Sequence, residues 1–214
     1  WENLPTIKDS LSDGLLKALD TKPKVEKKVE TTNIEAYEFY LKAKHKYEKR
    51  ENTDDTEIAR GLISKAIELD YNLITAKLLL GGTYLHMGDY DKAMEIYTSA
   101  LKQAEELGDK DGLSKVFRAM GSVYSYPVNS NSNLNIALDY YARSLKISEE
   151  LGDNKARVNL LQRFGFINVR KGDIDKALNY YTHALEDGKE VYGDKKTWFV
   201  VIMQSLGDAY NIKG

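Results

Sequence analysis

The chain has 214 residues, 42% of them hydrophobic and 30% charged, an ordinary balance for a soluble chain with a real core. Thirty-one Lys and Arg stand against 33 Asp and Glu, and this near neutrality argues against a general nucleic-acid binder, which carries a basic excess. Cysteine is absent, which excludes disulfides, thiolate metal sites and a cysteine nucleophile.

Residues 1–20 read as a short amphipathic helix. Ile7, Leu11, Leu15 and Leu19 recur every fourth residue, and Thr6 or Asp9 stands where a cap is needed. Residues 21–33 are charged, carry Pro23 and read as a linker. The first residue is Trp1 and not Met, so the chain is expected to be a piece of a longer protein. No apolar run approaches the roughly 20 residues that span a bilayer, and no signal peptide is visible. A cytoplasmic location is the expectation.

From Ile34 onward the pattern is helix, turn, helix, repeated. Residues 34–50 read as a helix with Tyr37, Tyr40, Leu41, Lys44 and Tyr47 along one side. A loop at 51–56 separates it from a partner over 57–69 that turns Ala59, Ile63 and Ala66 inward. The next unit reads as a helix from Leu73 to Met87, a turn at Gly88-Asp89-Tyr90, and a helix carrying Ala93, Tyr97 and Ala100. The third repeats this with Gly121 and Tyr124, then Ala137, Tyr141 and Ser144, but its turn is stretched by a polar, Asn-rich loop from Pro127 to Asn135. The fourth has Phe164 and Gly165, then Ala177, Tyr181 and Ala184. The fifth stops at Gly214 after Met203, Leu206, Gly207 and Tyr210.

The phrase that recurs is Leu80-Gly81-x-x-Tyr84, Met120-Gly121-x-x-Tyr124, Phe164-Gly165-x-x-Asn168 and Leu206-Gly207-x-x-Tyr210. Its glycines lie 40, 44 and 42 residues apart. A period of that size means one structural unit stacked on itself. Between units Gly108, Gly152 and Gly193 are placed to stop one helix, and Asp109, Asp153 and Asp194 to cap the next.

These residues resemble the tetratricopeptide repeat (TPR), in an extended form with a period above the family's 34 residues. The match is closest over 77–100, good over 117–144 and 161–184, and partial over 34–66 and 203–214. Lys77 stands where the family has an aromatic, and Asn168 where it has Tyr. The resemblance implies an all-α, right-handed solenoid of stacked antiparallel helix pairs. About 4.5 repeats are expected, with units at 34–70, 73–107, 111–151, 154–191 and a truncated 195–214. A weaker resemblance, in the segment from Asn33 to Ala43 and in Ala66-Ile-Glu-Leu-Asp70, is to the repeat region of bacterial signalling proteins. There the array follows a class III adenylate or guanylate cyclase domain or a protein-kinase domain. It implies that residues 1–20 end an upstream domain.

The tyrosines at 84, 97, 124, 141, 181 and 210 fall on repeat core positions, which explains them better than base stacking does. His45, His86 and His183 are isolated, and Gly81-Gly82 lacks the surroundings of a phosphate loop. No nucleophile and base stand together, so no catalytic residue, cofactor or metal is expected.

The resemblance also implies a peptide groove along the first helix of each pair. Carried over from the repeat glycine, its lining falls on Thr75, Leu78, Gly82, Leu85 and His86; Lys115, Arg118, Ser122, Ser125 and Tyr126; Asn159, Gln162, Phe166, Val169 and Arg170, with Arg163 beside them; and Val201, Gln204, Asp208, Asn211 and Ile212. The middle of this wall is basic and partly apolar, so an acidic, partly hydrophobic peptide fits it. A solvated helix face is the plainer alternative. Ser122, Phe166 and Asp208 break the two-carboxylate clamp of chaperone-binding members. Self-association through Val200, Met203, Leu206 and Tyr210 of the last helix is the competing function.

Overall fold

Asn33 opens the fold by capping its first helix, its side-chain oxygen accepting the Ala36 N–H at 3.0 Å. The computed structural model describes residues 33–126, 133–193 and 196–213. The helix expected over 1–20, the linker up to Asn33, most of the Asn-rich loop and the expected cap Asp194 lie outside the described residues.

Nine helices run through the described residues: α1 (Ile34–Glu48), α2 (Thr53–Leu69), α3 (Ile74–His86), α4 (Tyr90–Leu107), α5 (Lys110–Ser125), α6 (Leu134–Leu151), α7 (Asn154–Arg170), α8 (Ile174–Tyr192) and α9 (Lys196–Lys213). Each packs on the next, giving the pairs α1/α2, α3/α4, α5/α6 and α7/α8, with α9 as a single first helix. First helices also touch first helices: α1 meets α3, α3 meets α5, and α7 meets α9.

The boundaries follow from capping chemistry. Gly108 and Gly152 adopt the left-handed conformation, with φ of 61° and 67°, and close α4 and α6. Asp109 and Asp153 then accept backbone N–H groups of the following helix at 3.0 Å. Two expected starts need correction. Asn52 caps α2 through the Asp55 N–H at 2.9 Å, so the helix begins at Thr53 and consumes most of the loop read at 51–56. Asn133 likewise caps α6, so Leu134 and Asn135 are helical.

The pairs are locked by one contact, used three times. Gly81, Gly121 and Gly165 sit mid-helix, and the rings of Tyr97, Tyr141 and Tyr181 lie close against them. A Cβ added at Gly121 would meet the Tyr141 ring at 2.6 Å, and at the other two glycines the ring is closer still. Small residues one turn away on the second helices keep the pairs close: Ala93 and Ala100, Ala137 and Ser144, Ala177 and Ala184 are all fully buried. In the third pair serine hydroxyls replace methyl groups. Ser114 Oγ lies 3.0 Å from Ser144 Oγ and 2.8 Å from Ser148 Oγ, and Ser144 Oγ donates to the Ser114 carbonyl at 2.8 Å.

The first pair departs from its expected stripe. Tyr37, Leu41 and Lys44 are exposed, and the buried side of α1 is Ala36, Ala43 and Tyr47. At the other end Leu206 is buried, while Val200, Met203 and Tyr210 are exposed. Tyr210 therefore leaves the set of core tyrosines, because no second helix lies over α9 among the described residues. Lys77, at the family's aromatic position, is 4% exposed. Its Nζ donates to Gln103 Oε1 at 2.5 Å and rests 3.3 Å from the Tyr71 ring centroid, so the cation is partnered by an amide and a π-face.

A glycine series tests the lock. Gly81→Ala, Gly121→Ala and Gly165→Ala should each cost about 1–3 kcal/mol, because the added methyl overpacks a buried ring. Gly207→Ala, whose Cβ would meet nothing within 4 Å, should instead stabilise by up to about 1 kcal/mol through helix propensity. Urea unfolding of the four variants measures this.

Candidate functional site

The expected groove lining comes from α3, α5, α7 and α9, and these helices sort it into three groups. Leu85 and Ser125 are buried, each 6% exposed, and belong to the packed layer. Ser125 Oγ donates to the Ser122 carbonyl and lies 3.1 Å from the Tyr141 hydroxyl. Ser122 is half-buried; its Oγ donates to the Arg118 carbonyl at 3.0 Å and lies 3.2 Å from the same hydroxyl.

A second group is exposed and offers contacts. Arg163, Phe166, Val201, Gln204, Asp208, Asn211 and Ile212 all face solvent, and Gln162 and Val169 are half-exposed. Phe166 is 41% exposed, with the Arg170 guanidinium 5.9 Å from its ring centroid. Tyr126 packs on Tyr90 at 5.9 Å between centroids, which ties it to the second unit.

A third group, Arg170 and Lys115 of the lining with Lys110 and Arg157 beside them, makes structural contacts that the sequence did not disclose, and that of Arg170 crosses from one unit to another. Arg170 Nη1 donates to the Ser125 carbonyl at 2.6 Å and so satisfies a carbonyl at the end of α5 from the next unit. Lys110 pairs with Glu150 at 2.9 Å. Lys115 pairs with Asp111 at 2.7 Å. Arg157 Nη2 pairs with Asp187 at 2.6 Å, while its buried Nε finds no partner among the described residues.

Arg118 lies apart from these. It is half-buried, and its only hydrogen bond among the described residues is a long one, 3.5 Å from Nη1 to Asn159 Oδ1. Burial holds its guanidinium below the ordinary value, and the positive charge of Arg163 pushes the same way. It borders a cavity of about 220 Å³ where α5 and α7 stand apart. Lys115, Lys155, Asn159 and Tyr192 complete much of the wall. Asp111 and Asp153 also reach it, but the first pairs with Lys115 and the second caps α7.

The three histidines do not gather. His86 packs edge-on against Tyr47 at 5.9 Å, His183 lies 3.4 Å from Glu186, and His45 faces solvent.

Residues 72–127 match the family model of the tetratricopeptide repeat. Among solved structures the chain is similar to BtubC (BKLC) from P. vanneervenii, with a TM-score of 0.66 and 18% identity over 84% of this chain and 82% of that one. It is also similar to the Signal Transduction ATPase with Numerous Domains protein PH0952 from Pyrococcus horikoshii, which has a tetratricopeptide repeat sensor. There the TM-score is 0.63 and the identity 21%, over 82% of this chain and 26% of that one. The chain thus spans about a quarter of that protein's length. At these identities the likeness is one of fold. No curated protein matches the chain.

The division of labour among the cations is measurable. Arg170→Ala removes the tie to Ser125 and should cost about 1 kcal/mol. Arg163→Ala touches only solvent and should stay within about 0.5 kcal/mol of the parent. Chemical denaturation of both variants checks the contrast.

Proposed function

We propose that this chain, an array of tetratricopeptide repeats, is a protein-interaction module that lays an acidic, partly apolar peptide or helix along its first helices. The observation that carries the reading is the strip formed by Gln162, Arg163 and Phe166 on α7 and Gln204, Asp208 and Asn211 on α9. These side chains stay outside the packed layer while their helices touch. Stacked repeats hold such a strip in place before binding, which lowers the ordering cost of capture. Among the described residues no helix is long and apolar enough to cross a membrane. The strip joins charged, amide and aromatic side chains, which suits recognition by a few anchors. Such arrays are generally not catalysts, and we read the module as a regulatory or docking region of a larger cytoplasmic signalling protein. The weaker resemblance at Asn33–Ala43 suggests a cyclase or kinase as its neighbour.

A second reading rests on α9. Phe199, Val200, Val201, Met203, Tyr210 and Ile212 are each at least 40% exposed. Apolar exposure on that scale favours association of two copies through this helix. Light scattering distinguishes the readings: a monomer at micromolar concentration removes the second one.

The groove is tested by panning a random phage-displayed peptide library on the protein. An enriched peptide, labelled and measured by fluorescence anisotropy, should lose about tenfold or more in affinity for Phe166→Asp, with the melting temperature unchanged. Failure to enrich any peptide, or equal binding by the variant, removes the groove reading.

A further inference from the structure

The cavity between α5 and α7 holds a half-buried guanidinium with a single long hydrogen bond among the described residues. A guanidinium taken out of water needs a carboxylate or several acceptors to offset its lost hydration. Arg118 has one amide oxygen at 3.5 Å. The neighbouring cations do not help it. Arg163 repels it, and Lys155 stands exposed at the rim without an ion pair among the described residues. The two carboxylates in the wall are committed elsewhere, Asp111 to Lys115 at 2.7 Å and Asp153 to the Ala156 N–H at 3.0 Å. Asn159 spends its oxygen on Arg118, and its amide N–H groups have no acceptor among the described residues. Donors from two successive units therefore converge on one space, and the two carboxylates in its wall attract Arg118 without a hydrogen bond to it among the described residues.

That space has the size for a side chain. Its volume of about 220 Å³ exceeds the roughly 30 Å³ share of a water molecule several times over, enough for a carboxylate, its methylene stem and attendant water. It is lined mainly by α5 and α7, and α7 also carries one half of the exposed strip. The α5–α7 seam is also where two neighbouring first helices stand apart, so the opening comes from the stacking itself.

We propose that this cavity is the anchor subsite of the groove: it takes the side-chain carboxylate of an Asp or Glu in the bound peptide between the Arg118 guanidinium, the Asn159 amide and Lys155. This rests on the reading that a peptide lies along the first helices. It adds a place, a chemistry and a register. A planar guanidinium receives a carboxylate through two parallel N–H bonds, which fixes orientation as well as charge. Tyr192 adds an aromatic side chain to the wall.

The test uses the peptides enriched on the whole protein. They should share one acidic residue at a fixed position, and its change to Gln or Asn should weaken binding by about tenfold to a hundredfold, as expected for a largely desolvated charge pair. On Arg118→Gln the acidic and amide peptides should bind alike, because the partner of the carboxylate is gone. Arg118→Lys should restore part of the preference. Circular dichroism melts establish that each variant is folded. Asn159→Ala and Lys155→Gln, which leave Arg118 in place, should each narrow the preference and serve if Arg118→Gln does not fold. Enriched peptides without a shared acid, or an acid preference that survives Arg118→Gln intact, overturn the subsite and leave the groove standing. If Phe166→Asp leaves binding untouched, or no peptide is enriched, the groove fails and the subsite with it.

Discussion

The structure depends on a tyrosine ring lying where a side chain is missing. Gly81, Gly121 and Gly165 give up the helix-stabilising methyl of alanine, a loss of about 1 kcal/mol each in an isolated helix. In return Tyr97, Tyr141 and Tyr181 reach the backbone of the partner helix, and all three are almost completely buried. A ring so placed fixes how closely the two helices approach, because it occupies the space a side chain at the glycine would need. Alanine or serine one turn to either side is then required, since anything larger would lift the ring out. Burial also pushes the Tyr97 and Tyr181 phenols up, so they stay neutral across the physiological range.

Charge ties helices together both between pairs and within them. Arg170 reaches back to the end of α5 and so joins two successive units, as expected where each repeat touches its neighbours. Lys110 reaches α6, and Lys77 reaches α4 under the lid of Tyr71, each holding the two helices of its own pair. Arg118, with one long hydrogen bond among the described residues, lies between two successive first helices. Arginines that look alike in the sequence thus stand in different surroundings, Arg170 tied to a backbone carbonyl and Arg118 not.

The helices, their pairing and their order were legible because they rest on local signals: a glycine recurring at a near-fixed period, a glycine that ends a helix, an aspartate that caps the next. That Tyr97, Tyr141 and Tyr181 are core residues could be read from their repeat positions, but not that each ring lies against a glycine. Helix starts at Thr53 and Leu134 were misjudged because Asn52 and Asn133 look like loop residues until their side chains are seen to accept backbone N–H groups. The outward turn of Tyr37 and Leu41 was hidden because a helix with apolar residues on two sides does not declare which one is covered. The candidate site was the least legible part. Repeat position says which residues can face the inner wall, but not that Arg170 is engaged by a carbonyl of the preceding unit or that Asn159 is the one hydrogen-bond partner of Arg118 among the described residues. Those facts depend on side chains meeting across some 40 residues of chain, and no local pattern encodes them.

The longer connection between α5 and α6 shows how such a protein tolerates changes in length. Gly121 precedes its tyrosine by 20 residues, whereas Gly81 and Gly165 precede theirs by 16, yet the three sockets are filled alike. Residues added in the connection leave the ring on target. One residue inserted within α4 upstream of Tyr97 would swing it about 100° around the helix axis. Descendants of this gene should therefore drift in size at their corners and hold constant within their rods, with whole hairpins as the other unit of gain or loss.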